Sequence, residues 1–241
     1  MIENGSTFDL TLVLPVYNEV DSIRPVVEEW LETMKNAGIS YEIRICEDGS
    51  TDGTKDVMKS LAFEFPQIVL DSVDYRRGYG RAVLDGYANA QGQYVLVSDS
   101  DGQINPLGFK ALWAKRAAAD IMMGVRTPRH DPAVRMIYSF IFRLYFKTLF
   151  PCSLRDPSCP FVLIKRDKVR RLIPLLGYMI EGFWWGFVGA ATKVGYSFVE
   201  VEIEHRKRFA GDTRVYKLTK MPKIIMRNGI GLIKLKNVKE V

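Results

Sequence analysis

Val95–Pro106 reads VLVSDSDGQINP, an apolar strand that runs into two aspartates one residue apart, then glycine, glutamine and a turn. A strand covered on both faces is apolar throughout, so carboxylates at its carboxyl end either cap a following helix or face the crevice where open α/β sheets bind ligands. The upstream chain bears on that choice. LTLVLPV, YEIRICE, QIVLDSV and QYVLVSD alternate with helical stretches around Val20–Ala37, after Asp52 and over Tyr79–Ala90. Such βαβα alternation predicts a mainly parallel sheet flanked by helices. In STDGTKDVMKSL, the Ser, Thr and Asp ahead of the helix supply caps for its free N–H groups.

Three polar clusters close three of these strands: PVYNE (Pro15–Glu19), CEDGSTD (Cys46–Asp52) and SDSDGQ (Ser98–Gln103). In a parallel sheet the three ends share one edge, so Glu19, Asp48, Asp99 and Asp101 are expected to converge on one crevice. A single acidic strand end is ordinarily a cap, but three in succession favour a site. Asp99, Asp101 and Gln103 offer hard oxygen ligands at alternate positions, which suits Mg²⁺ or Mn²⁺ and does not suit zinc or copper. RRGYGRAVLDGY fails as a dinucleotide fingerprint, because Val83 stands where the third glycine belongs and the segment follows the third strand. No Gly-Lys-Ser/Thr follows a strand, so a Walker-type phosphate loop is excluded.

Past Pro106 the pattern changes to a helix near Leu107–Ala117, a strand at DIMMGVR, an aromatic-rich helix over Ala133–Phe150 and a late strand within YSFVEVEIEHRKR. Neither a repeat nor a low-complexity linker interrupts the 241 residues, which predicts one domain with its second half built over a single sheet. The net charge of +6 is local: residues 205–241 carry eleven Lys and Arg against two acids, leaving the first 204 residues negative. Three cysteines without paired spacing and two histidines, His130 and His205, assemble no zinc cluster, and a reducing, cytoplasmic setting is expected. MIENGSTFDLTLVLPVYNE has no basic leader and only a short, broken apolar stretch, so neither a signal peptide nor an anchor is expected. The long apolar run Leu172–Ala191 contains Pro174, four glycines and Glu181, and reads as a pocket wall or a membrane-facing surface in preference to a span.

LPVYNE, EDGSTDGT, RGYGRAVLDGY and DSDGQ, in this order and spacing, resemble the family-2 glycosyltransferases of GT-A fold over about residues 10–105. The resemblance implies a nucleotide-diphosphosugar donor (UDP- or GDP-sugar) with Pro15, Tyr17, Glu19, Asp48 and Gly78 around it. It also implies a DxD pair, Asp99 and Asp101, of which the second binds the divalent ion. A glutamine two residues after that aspartate is similar to the dolichyl- or polyprenyl-phosphate sugar synthases and makes Gln103 a third metal ligand. Arg126, Arg135 and Ser139 in GVRTPRHDPAVRMIYS fall where those synthases contact the acceptor phosphate, Arg135 and Ser139 being one helical turn apart. RDPSCPF (Arg155–Phe161) resembles their Asp-Pro-x-Ser-Gly-Phe with Pro160 in place of the glycine, and HRKRFAGDTRVYK implies that Arg206 or Arg208 closes over phosphates. Arg143 and Lys147 are read as a solvated helix face. For Glu181, a general base, a ligand contact and a buried partner of an arginine stand as equal readings.

The C-terminal segment sets Lys220, Lys223, Arg227 and Lys234 along one side of an ideal helix and Leu218, Met221, Ile225 and Leu232 along another, with Pro222 and Asn228-Gly229 as interruptions. A basic amphipathic surface suits anionic lipid and implies a peripheral position at the cytoplasmic membrane face. Nucleic acid is disfavoured, because beyond Tyr216 no aromatics interleave the charges. The leading expectation is an inverting transferase carrying a sugar to a polyprenyl or dolichyl phosphate. A family-2 enzyme acting on a sugar hydroxyl would need a base, for which Glu181 is the main candidate. A third reading is a non-catalytic sugar-nucleotide-binding protein docked on a membrane-protein partner; the intact Asp99, Asp101 and Gln103 set argues against it.

Overall fold

The computed structural model describes residues 7–128, 133–179, 182–209 and 221–238. Strand β1 (Phe8–Val16), helix α1 (Ile23–Ala37), β2 (Tyr41–Asp48), α2 (Thr54–Glu64), β3 (Ile68–Val73), α3 (Tyr79–Asn89) and β4 (Gly92–Val97) follow one another as the alternation predicts. β1 lies between β2 and β4, parallel to both, and β3 extends the sheet beyond β2. Leu12, Val13 and Leu14 are all fully buried although successive side chains point to opposite faces, so both faces of β1 are covered. Helix α1 buries Ile23, Val26, Val27, Trp30 and Met34, a stripe at helical period.

A 3₁₀ turn (Pro106–Gly108) leads into α4 (Phe109–Ala114), then β5 (Ile121–Arg126), α5 (Ala133–Leu149), β6 (Val162–Lys165) and α6 (Arg166–Leu172). A second 3₁₀ segment (Ile173–Tyr178), α7 (Phe183–Lys193), β7 (Phe198–Ile203) and α8 (Met221–Asn237) complete the order. The sheet has seven strands in the order β3-β2-β1-β4-β6-β5-β7. β6 is antiparallel to both β4 and β5, and β7 is parallel to β5. Two reversals restore the direction, so the carboxyl ends of β5 and β7 return to the edge where β1, β2 and β4 end. That places Arg126, and the residues after Ile203, beside the acidic clusters.

Two expectations are corrected. For the second half of the Leu172–Ala191 run a membrane-facing surface is ruled out: every residue of Phe183–Ala191 is buried in α7, whereas Pro174, Gly177 and Tyr178 of the first half are exposed. Aromatic rings of α5 cover it, Phe142 and Phe146 standing 5.0 and 5.2 Å from Trp185 between centroids. Among the described residues no helix is long and apolar enough to cross a membrane. Nor do Asn228 and Gly229 interrupt α8, which runs through them. Asn228 is buried, and Leu232 and Leu235 belong to the core. A Cβ at Gly231 would stand 2.8 Å from both the Tyr178 carbonyl and the Met179 sulfur, so only glycine lets α8 approach so closely. Pro222 falls in the first turn, where no N–H is needed.

Candidate functional site

The loops after β1 and β2 are knitted together. The Asn18 N–H donates to Ser50 Oγ at 2.9 Å, Thr51 N–H donates to Asn18 Oδ1 at 2.8 Å, and Glu19 N–H donates to Thr54 Oγ1 at 2.9 Å. Asn18 adopts φ 55, a left-handed turn that asparagine tolerates. Asp48 is buried, and its carboxylate accepts the N–H groups of Arg77 (2.7 Å) and Gly78 (2.8 Å), so it shapes the RRGYG loop from inside. Arg76, from that same loop, lies over the Tyr17 ring at 4.0 Å. Pro15 is fixed through its carbonyl, which accepts from Ser100 Oγ at 2.8 Å and ties the β4 loop to β1.

The two aspartates after β4 face different surroundings. Asp99 accepts from Tyr79 Oη at 2.8 Å, and Trp184 Nε1 donates to the same tyrosine oxygen at 2.9 Å. Burial, then the neighbouring Asp101, push the Asp99 carboxyl up to about 7, against the opposing pull of Tyr79, Arg126 and Arg208. Asp101 accepts the Gln103 N–H at 3.0 Å with one oxygen and has Arg208 3.5 Å from the other.

Residues 204–209 form a strap along this loop. Arg206 N–H donates to the Gln103 carbonyl (2.7 Å), Phe209 N–H to the Asp101 carbonyl (3.3 Å), and Ile104 bridges His205 antiparallel. Phe209 packs so close to Gly102, at φ 75, that a Cβ there would stand 2.5 Å from its ring. The two arginines named by resemblance divide. Arg206 is anchored: it grips both oxygens of Glu29 on α1 (3.1 and 2.7 Å) and donates to the Gly102 carbonyl at 3.2 Å. Arg208 points the other way and pairs with Glu19 and Asp101 at the crevice.

The acceptor-side residues are placed less uniformly. Arg126 stands at the end of β5 and is largely enclosed, with Nε and Nη2 donating to the two Asp156 oxygens at 2.7 and 2.9 Å and Nη2 also donating to Ser158 at 3.0 Å. Arg126 therefore holds the RDPS segment. Ser139 lies half-buried on α5. The Arg135 side chain and Glu181 lie outside the described residues, as do residues 210–220 of the basic segment. Arg143, read as a solvated residue, is half-buried, donates to the Arg155 carbonyl at 2.7 Å and lies 5.4 Å over the Phe140 ring. The cysteines are free, and burial raises the Cys159 thiol up to about 12, which leaves it inert as a nucleophile at neutral pH.

Sequence reasoning singles out neither Tyr79 nor Glu29; it reads Trp184 only as a lipid-contacting or core aromatic and Asp156 only as part of RDPSCPF. Tyr79 opens α3 inside a motif already quoted, and a phenol directly after the glycine of RRGYG was the available signal. The Trp184 bond to Tyr79 and the Glu29 pairing with Arg206 carry none, since they arise from contacts across 105 and 177 residues of chain.

Residues 11–173 match the family described as Glycosyl transferase family 2. The chain belongs to this family. Among its family-2 relatives, dolichyl-phosphate beta-glucosyltransferase of Dictyostelium discoideum is 25% identical over 98% of this chain and 81% of that protein. An undecaprenyl-phosphate 4-deoxy-4-formamido-L-arabinose transferase of Salmonella paratyphi B is 25% identical over 85% of this chain, which spans 62% of its length. Among solved structures, glucosyl-3-phosphoglycerate synthase from Mycobacterium tuberculosis in complex with Mn²⁺, UDP and phosphoglyceric acid aligns at TM-score 0.72 and 18% identity, covering 97% of this chain and 80% of that one. That likeness shows a shared GT-A fold.

Proposed function

We propose that this protein transfers a sugar from a nucleotide diphosphosugar to a polyprenyl or dolichyl phosphate. Family membership supplies the reaction class, and the two named relatives, both lipid-phosphate sugar transferases, support the acceptor. The single observation that carries the reading is the edge shared by Glu19, Asp48, Asp99 and Asp101 with Arg208 closing over it. In this reading the loops after β1 and β2, with Pro15, Tyr17, Asp48 and Gly78, receive the nucleoside, and Asp101 and Gln103 face the diphosphate.

A divalent ion fits this donor set. The ligands are oxygens only, and no group of three His, Cys, Asp or Glu side chains gathers among the described residues, so substrate oxygens and water would complete the shell, as Mg²⁺ and Mn²⁺ prefer. A guanidinium already stands against Asp101, which marks the spot as one that takes positive charge. Asp99, Asp101 and Gln103 would hold the ion, which when bound offsets charge on the departing diphosphate. Arg208 is the mobile counter-charge: released from Glu19 and Asp101, it reaches the phosphates that displace it. Arg135 and Ser139, one turn apart on α5, orient the acceptor phosphate for in-line attack on the anomeric carbon. A phosphate monoester is largely ionised near neutral pH, its second pKa being about 6, so the attacking oxygen needs no strong base and Glu181 is not required as one.

A screen of UDP- and GDP-sugars with Mn²⁺ and a short-chain polyprenyl phosphate tests the proposal, with the glycosylated lipid as readout. Transfer to a sugar hydroxyl and none to the lipid phosphate would overturn it. An Arg135→Ala variant that keeps donor binding by calorimetry but loses transfer places that arginine on the acceptor; loss of both in parallel places it on the donor.

A further inference from the structure

Helices α5 and α8 pack side by side, Tyr145 Oη of α5 donating to the Gly229 carbonyl of α8 at 3.2 Å. Their inner faces behave as helices of a core should. Their outer faces do not. On α5, Ile137, Phe140, Ile141 and Leu144 fall on one side at helical spacing and are each 51–58% exposed. On α8, Met226, Ile230 and Ile233 form a second exposed apolar stripe, and Lys223, Arg227 and Lys234 run beside it. Scattered exposed leucines are ordinary on a protein surface, whereas apolar stripes at helical spacing on two adjacent helices mark something that covers them.

Charge identifies the cover. The two helices together carry Arg135, Arg143, Lys147, Lys223, Arg227, Lys234 and Lys236, and not one Asp or Glu. A two-fold dimer through this face would set basic residues against basic residues, because such an interface presents the same patch from both copies. An anionic bilayer satisfies both features, since apolar side chains enter the acyl boundary while lysine and arginine reach the headgroups. The face also begins at the right place. α5 is the helix that follows β5, whose carboxyl end lies on the edge shared with Asp99 and Asp101.

We infer that the outer face of α5, with the exposed stripe of α8, is a bilayer-insertion surface for anionic membranes, which sets the carboxyl edge of the sheet at the headgroup level. The inference deepens the proposed function and rests on it for the purpose of the docking: a lipid-borne phosphate then meets the site while its chain stays in the bilayer. It also moves the principal membrane contact from basic charge alone to apolar insertion, so binding keeps a component that salt does not remove.

The test is flotation of the full chain with vesicles of phosphatidylcholine alone or with added phosphatidylglycerol, at low and high salt, with neither donor nor acceptor present. Because no substrate enters, its outcome is independent of whether the acceptor assignment holds. The protein is expected to float with the anionic vesicles and to retain a bound fraction in high salt. The double variant Ile137→Glu with Leu144→Glu should lower that salt-resistant fraction roughly tenfold, while its thermal unfolding stays as in the parent because both side chains are exposed. A Phe140→Trp variant should show added fluorescence quenching by brominated lipid. Unchanged salt-resistant flotation of the double variant overturns the inference, as does the absence of added quenching. A parent protein that sediments as a dimer, with a monomeric double variant, assigns the face to a second copy and overturns it equally.

Discussion

The two ends of the sheet dispose of their polar groups in opposite ways. From β1 to β4, carboxylates at the carboxyl edge accept loop backbone N–H groups, Asp48 those of Arg77 and Gly78 and Asp101 that of Gln103. From β5 onward, the enclosed acid Asp156 is spent on a cation, Arg126, while apolar side chains of α5 and α8 stand in the open. One region presents pre-set loop geometry around carboxylates; the other leaves apolar stripes of α5 and α8 exposed. The proposed reaction, with a donor free in water and an acceptor that arrives in lipid, calls for that division.

The comparison is most exposed at Arg126. If its pairing with Asp156 is a structural pivot, Asp156→Ala should destabilise the fold by about 3–5 kcal/mol, because it takes both carboxylate oxygens from an enclosed guanidinium, and Arg126→Met combined with Asp156→Leu should recover most of the loss. Urea unfolding measures both; a loss below 1 kcal/mol would move Arg126 back among open phosphate ligands. Asp101→Asn probes the polar half: transfer should fall at least about a hundredfold, worth ~2.7 kcal/mol of transition-state stabilisation, with unfolding unchanged. Tyr79→Phe removes the hydrogen bond between the halves and leaves the Trp184 N–H without that acceptor, which should cost ~1–2 kcal/mol in stability. The same change should raise the Asp99 carboxyl above about 7, since Tyr79 is the largest of the influences that pull it down, and carbon NMR of the carboxyl reads that shift.

The smallest effect lies at the sheet's far end. Lys168 first, then Ser197, hold Asp120 down to about 2. A carboxyl lowered in the folded state adds stability that is present above its unfolded pKa near 4 and is lost as pH falls through 2. Asp120→Asn should therefore cost about 0.5–1 kcal/mol at pH 7 and almost nothing at pH 2, by urea titration at each pH.

The polar half was readable because β strands covered on both faces are written as apolar runs, and acids at their ends have few uses. Glu19, Asp48, Asp99 and Asp101 share an edge for that reason. The sequence resisted in the other half for equally physical reasons. β6 is four residues long and pairs antiparallel, so neither length nor alternation announces it. The Phe183–Ala191 run is apolar on every side, and only α5 and α8 lying across it show that it faces protein. Asn228-Gly229 looks like a helix break until the close approach of Gly231 to Tyr178 is seen. Arg126 sits where an acceptor contact was expected, and its partner Asp156 belongs to a motif that no periodicity links to it.

The strap at residues 204–209 also orders events in time. Its bonds to Glu29 and Glu19 close loops of 177 and 189 residues, so they are among the latest contacts a growing chain can make. The strands carrying Asp48, Asp99 and Asp101 are synthesised well before the arginines that complete the crevice. Until then Glu19 and Asp101 lack the Arg208 counter-charge that pairs with them in the folded protein. A chain that stops before the strap therefore lacks Arg208, the arginine proposed above to meet the donor phosphates.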